Sequence, residues 1–334
     1  MRRMFLLLAL CLLPSLALGA KAETSTRTAA KAAVNSPVKS ARQSASKTVA
    51  QAGPVMECPD SVGLGEAFVL RLRSPKPLKN VSLTWLARQA SLTGRMVTGG
   101  PGGWEAVVLL GSDVGNTALG RHELVVRVGG AGGPGNRGLL RKAVSVLPVK
   151  RPVESLTLDE AMVNPPAEAY PRILAERKLM QKLLLGTLSR AARAGTDGRL
   201  WSLPLARPVP GAVSSSYGIG RILNGQPHAP HRGLDMEAET GQPVLAAADG
   251  LVLFSGELYY AGNAVYVDHG QGLITSYFHL SGRRVETGSR VARGQLVGLA
   301  GDTGRSTRSH LHFGVWALGR HVDPEPLFLY DPLP

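Results

Sequence analysis

A predominantly apolar run extends from Met4 to Leu18, interrupted only at Pro14 and Ser15, directly after Arg2 and Arg3 and directly before the small residues Gly19, Ala20 and Ala22. This pattern predicts a secretory signal peptide over 1–22, cleaved after Gly19 or Ala22. The run falls short of the roughly 18 apolar residues a membrane-spanning helix needs, and no later stretch reaches that length, so no integral membrane span is expected. Cys11 lies inside the run after Leu10, where lipid-signal cleavage is not expected. From 23 to 53 the apolar period disappears, and Arg27, Lys31, Lys39, Arg42 and Lys47 are spread evenly among Ala, Ser, Thr and Val. Such a segment buries too little to order itself and reads as a disordered basic tether.

Over 54–150 short alternating runs recur, among them AFVLRLR, NVSLTWLA, WEAVVLL and HELVVRV, separated by Gly, Pro, Ser and Asn. Their spacing predicts an antiparallel β-sandwich of immunoglobulin type. Trp85 and Trp104 are expected in its core or between its sheets. Within 165–195, apolar positions Ile173, Leu174, Leu179, Leu183, Leu184 and Leu188 follow Pro165, Pro166 and Pro171, which predicts an amphipathic linker helix packed between two domains. The remainder, 199–334, returns to strand-like runs: PVLAAADGLVLFSG, NAVYVDH, LITSYFHL and SHLHFGVWAL. The fold class is therefore mainly β, in two folded units, as a chain of 334 residues allows.

Composition narrows the partners. A formal net charge of +14 favours acidic envelope polymers or lipid headgroups over neutral surfaces. Nucleic acid is not expected, because no recognition motif accompanies the charge and the leader implies export. Loss of Cys11 with the leader leaves Cys58 alone, which excludes an intrachain disulfide framework and a cysteine-rich zinc site.

Seven of the eight histidines fall in the last segment: His228, His231, His269, His279, His310, His312 and His321. Metal binding is the leading cause for such a concentration. PHRGLD spaces His231 and Asp235 by four. The nearby Gly and Pro oppose a helix, and in an extended chain both residues share a face with Gly233 between them, leaving room for an ion. SHLHFGVW sets His310 and His312 on one face of a strand, and YFHL is expected to do the same for Tyr277 and His279, with Phe278 and Leu280 opposite. Each pair is a weak signal alone. His228, His269 and His321 have structural readings of loop, strand end and turn; Arg221 and Asn224 lie near the motifs as substrate-contact or loop residues.

HRGLD, YFHL and HLHFGV, in that order, resemble the motifs of the LytM or lysostaphin-type peptidases, family M23. The resemblance covers about Gly211 to Phe328 and includes SSYGIGRILNGQPHAPHRGLD, GNAVYVDHG and VARGQLVGLAGDTGRS. It implies a small antiparallel β fold with a Zn2+ ion held by His231, Asp235 and His312, and a catalytic pair, His279 and His310, beside the metal. It further implies a secreted, periplasmic or envelope-associated metallo-endopeptidase whose partner is peptidoglycan, cutting glycine bridges or crosslinks that contain D-amino acids. An alternative within the resemblance is an inactive LytM-type activator or wall-binding protein. Such proteins lack ligand residues, whereas all five positions are filled here. Oligomeric state is not implied.

Overall fold

A computed structural model describes residues 53–97, 103–129, 138–158, 160–190 and 198–331. The expected leader and nearly all of the tether lie outside the described residues, as does the end of the linker segment beyond Arg190.

The upstream strands form two sheets. One orders the strands Val55–Glu57, Ala67–Ser74, Gly103–Gly111 and Arg95–Val97; the other orders Ser61–Gly63, Leu139–Leu147, Gly120–Gly129, Lys79–Trp85 and Arg88–Leu92. All pairings are antiparallel except Ser61–Gly63 with Leu139–Leu147, which is parallel, so the sheets depart there from the all-antiparallel expectation. Alternation turns Phe68, Leu70, Leu72, Val108 and Leu110 of one sheet onto Val81, Leu83, Leu124, Val126, Val144 and Val146 of the other. Trp85 is fully buried there, donates from Nε1 to the Gly111 carbonyl at 2.8 Å and meets Phe68 edge-on, while Trp104 packs half-buried at the margin. Trp85 is thus a core residue, and Trp104 packs against that core from its edge.

The Gly103–Gly111 strand is buried on both faces. Val107 and Leu109, together with the half-buried Ala67 and Val69, join the core of the downstream domain. The approach is close: a Cβ on Gly111 would stand 2.1 Å from Val322 Cγ1. The two parts thus pack directly on each other, and the Tyr170–Arg190 helix also touches both, meeting Arg88–Leu92 upstream and Gly250–Leu258 downstream, in keeping with the expected helix between them.

The downstream domain is built on an antiparallel sheet in the order Val213–Ser215, Leu234–Glu237, His310–Ala317, Leu273–Leu280, Gly262–Asp268, Gly250–Leu258 and Arg290–Val291. One face carries Leu234, Met236, Val265, Val267, Tyr277, Leu311, Phe313 and Val315 into the main core. The opposite face carries Tyr266, Ile274, Phe278 and Trp316. The Tyr170–Arg190 helix covers part of this second face with Met180, Leu183 and Leu184. Leu174 and Leu179, expected on its packed side, are 53% and 43% exposed, so its buried stripe is narrower than the apolar pattern suggests.

Residues 151–164, which carry no role from sequence, include a strand. Val153–Leu156 pairs in parallel with Gly220–Leu223, which in turn pairs with Gln226–His228. Asn224 fastens this linker strand. Its Oδ1 accepts from the Leu158 amide at 2.9 Å, its Nδ2 donates to the Leu158 carbonyl at 3.1 Å and to Glu160 Oε2 at 3.1 Å, and its own amide donates to the Leu156 carbonyl.

Candidate metal centre

Asp235 and His312 are direct partners across the pairing of Leu234–Glu237 with His310–Ala317, so the pleat turns both side chains to the same side. Their even-numbered neighbours Leu234 and Met236 point the other way into the core, which fixes the register. His231 precedes the first strand. Its amide donates to the Ile219 carbonyl and its own carbonyl accepts from Gly218, which anchors it beside Asp235.

The three converge closely. His312 Nδ1 lies 2.7 Å from Asp235 Oδ1, His231 Nε2 lies 3.1 Å from the same oxygen, and the two ring nitrogens are 3.0 Å apart. Tetrahedral ligands at zinc bond lengths stand about 3.3 Å from one another, so small outward shifts would place a metal between these atoms. Among the described residues, His231, Asp235 and His312 are the set grouped in this way. A nitrogen, nitrogen, oxygen set is the donor chemistry of a site with a fourth position open to solvent.

Surrounding contacts fix each ring. His231 Nδ1 donates to the Ser216 carbonyl at 3.0 Å, which leaves Nε2 as the acceptor. The His312 ring stacks on Phe278, centroids 5.2 Å apart and planes within 7°. Its other side lies against Gly233, where a Cβ would meet Nε2 at 2.4 Å and Cε1 at 2.5 Å. The space left by Gly233 is therefore taken by the His312 imidazole and not by an ion. Burial works to raise the Asp235 carboxyl, but the His231 and His312 imidazoles beside it outweigh that effect and hold the group well below the usual carboxylate range. Arg221 adds a contact from its guanidinium to Asp235 Oδ2 at 3.2 Å.

His279 reaches the site by a different route. Between the pairs Val265↔Tyr277 and Asn263↔Leu280 one strand advances two residues (265 to 263) and the other three (277 to 280), a β-bulge. His279 is the residue that absorbs it, at φ +61°. Tyr277 stays in the core with its hydroxyl accepting from the Ala247 amide, and Phe278 is the residue that shares a face with His312. The expected common face for Tyr277 and His279 is thus incorrect: the bulge breaks strict alternation and re-aims His279 alone. His279 Nδ1 donates to the Thr303 carbonyl at 2.8 Å. His310 Nδ1 donates to the Arg308 carbonyl at 2.9 Å, and its Nε2 lies 3.7 Å from Asp235 Oδ1. The two rings are 4.9 Å apart, each with Nε2 left as a proton acceptor. Burial, reinforced by the charges of His312 and His310, pushes His279 down to about 3, so it is neutral near pH 7.

The other histidines fall elsewhere. His269 is fully buried between the Asp249 carbonyl and Thr275 Oγ1, His321 packs on Trp316, and His228 lines the groove without joining the cluster. The groove above the cluster has a volume of about 520 Å3, and its lining includes Glu154, Leu156 and Leu158 of the linker segment and Arg305 and Arg308 of the 303–309 loop. Sequence reasoning leaves these five unassigned. The alternation in ESLTL was the available signal for the first three.

The pattern of Peptidase family M23 matches residues 229–324. Peptidoglycan DD-endopeptidase ShyC of Vibrio cholerae is 43% identical over 119 residues, 35% of this chain and 27% of that protein. ShyA of the same organism is 44% identical over 95 residues, 28% of this chain and 22% of that protein. The chain therefore spans about a quarter of the length of these curated relatives. A crystal structure from Pseudomonas aeruginosa assigned to peptidase M23 superposes with a TM-score of 0.54 at 27% identity, covering 78% of this chain and 93% of that one. The residues 229–324 matched to Peptidase family M23 hold all five converging side chains.

Proposed function

We propose that this chain is an exported zinc metallo-endopeptidase that hydrolyses peptide crosslinks of bacterial peptidoglycan. The observation that carries the reading is the convergence of two imidazoles and one carboxylate beneath a groove, with two further imidazoles presenting free Nε2 atoms beside them. The names of the Vibrio relatives support peptidoglycan as the substrate.

His231 through Nε2, His312 through Nδ1 and Asp235 through Oδ1 would hold the ion. When bound, zinc supplies Lewis-acid polarisation of the scissile carbonyl and brings the pKa of a water to roughly 7. The chain's own groups do the rest. Between them, His279 and His310, each with Nδ1 committed to a backbone carbonyl, serve the transfer of one proton from the attacking water to the leaving amine, with His310 Nε2 as the acceptor because burial keeps His279 neutral. While it holds that proton, the His310 ring steadies negative charge developing on the carbonyl oxygen. No serine or cysteine nucleophile is required, in keeping with Cys58 lying half-buried in the upstream domain.

Mass spectrometry of fragments released from purified peptidoglycans of differing crosslink chemistry tests this reading. The zinc-loaded protein is expected to convert crosslinked peptide dimers to monomers in at least one of them. Intact dimers throughout, at one zinc per chain, would favour the inactive activator instead.

A further inference from the structure

The groove holds more positive charge than the proposed chemistry uses. Arg221 is engaged with Asp235, but Arg305 and Arg308 have no carboxylate within ion-pair distance among the described residues. Arg308 is exposed, whereas Arg305 is half-buried, its backbone amide bonded to the Tyr260 carbonyl and its guanidinium laid over the Tyr260 ring at 4.5 Å. That ring and backbone contact hold the guanidinium in place. Burial disfavours its charge, and although Tyr260 favours it, the nearby Arg221 opposes it again. Glu154, the groove's other carboxylate besides Asp235, accepts instead from Ser215 Oγ. A desolvated, oriented and unpaired guanidinium at the edge of a groove is matched by an anion from outside the chain, and its planar fork fits a carboxylate.

The geometry points to Arg305, aided by Arg308, as a specificity site that takes a free carboxylate of the substrate peptide lying away from the scissile bond. This rests on the peptidase reading above, and it narrows the substrate to acidic crosslinked peptides. Leu156, Leu158 and Leu223 supply apolar lining in the same groove, suited to the aliphatic portion of such a peptide.

The test uses the full chain and one soluble crosslinked peptide in two forms, with its spare carboxylates free or amidated. The free form is expected to show a KM about tenfold lower than the amidated form, the size of a charge-assisted hydrogen-bonded contact, with kcat little changed. Arg305→Gln should raise KM on the free form to that of the amidated form and leave the amidated form unaffected. Arg305→Lys should restore part of the preference, and Arg308→Gln, on an exposed residue, should weaken it without disturbing the fold. Equal KM for the two forms, or equal loss on both in Arg305→Gln, would overturn the proposal. Fluorescence anisotropy with the labelled peptides and metal-free chain reads the site independently of cleavage. If neither form is cut, the catalytic reading fails, while the specificity site stands or falls on whether the free form binds about tenfold tighter.

Discussion

Gly233 shows how much one missing side chain decides. A Cβ there would run into the His312 ring, and Phe278 closes the opposite face of that ring, so the imidazole has nowhere to retreat. Gly233→Ala is expected to lower zinc affinity by about 10- to 100-fold, as loss of a ligand's supporting contacts does, with an unchanged far-UV circular dichroism spectrum. Wild-type affinity in this variant would contradict the described packing. His269 supplies a second prediction. Burial depresses it to about 4, below the roughly 6.5 of the unfolded chain, so the folded state excludes a proton that the unfolded state binds. Its contribution is complete above about pH 6.5 and declines as pH falls toward 4, by about 2 kcal/mol between pH 7 and pH 5. Urea unfolding of His269→Gln should give lower stability at pH 7 but a shallower fall to pH 5; equal falls in both proteins would refute this. At this scale strand period made His310 and His312 readable as a same-face pair, and spacing made His231 and Asp235 readable as a second pair, but only the motif resemblance joined the two. His279 was legible as a motif residue but not in its orientation, because a left-handed bulge residue leaves no period in the sequence.

The linker strand is the element that sequence did not reveal. Four residues of Val153–Leu156 pair with Gly220–Leu223, yet a short parallel pairing far apart in the chain has no turn signal to mark it, and ESLTL alone could face anything. Asn224 is the tie, and at φ +48° it sits where Asn or Gly is tolerated. Asn224→Gly keeps the turn while removing three side-chain hydrogen bonds. Amide hydrogen exchange at Leu158 is therefore expected to accelerate by about tenfold, as loss of roughly 1 kcal/mol of net hydrogen bonding implies, while exchange in His310–Ala317 stays unchanged. Equal protection at Leu158 in both proteins would show that the strand is held by other means. The Tyr170–Arg190 helix teaches the converse. Its apolar pattern predicted the helix correctly, but amphipathicity fixes neither the neighbour nor the width of the buried stripe, and it docks on the second face of the sheet through Met180, Leu183 and Leu184.

Across the molecule, the mainly β class was legible from alternation, while the direct packing of the two domains was not. Val107 and Leu109 looked like ordinary strand residues; that both faces of Gly103–Gly111 are buried follows only from what stands beside them. A shared core predicts joint melting. Calorimetry should show one transition for the described body, and a fragment beginning near Arg199 should melt well below it, having lost Val107 and Leu109 from its core. Two separate transitions in the full chain would mean that the interface contributes little.

The central claim is a division of labour among five side chains, and zinc content measured beside peptidoglycan cleavage in two variants tests it most directly. His310→Ala is expected to keep about one zinc per chain while cleavage falls by roughly 10²–10⁴, the size of general acid–base and electrostatic contributions. His312→Ala should lose both zinc and cleavage. Near-normal cleavage in His310→Ala, or stoichiometric zinc in His312→Ala, would contradict the account.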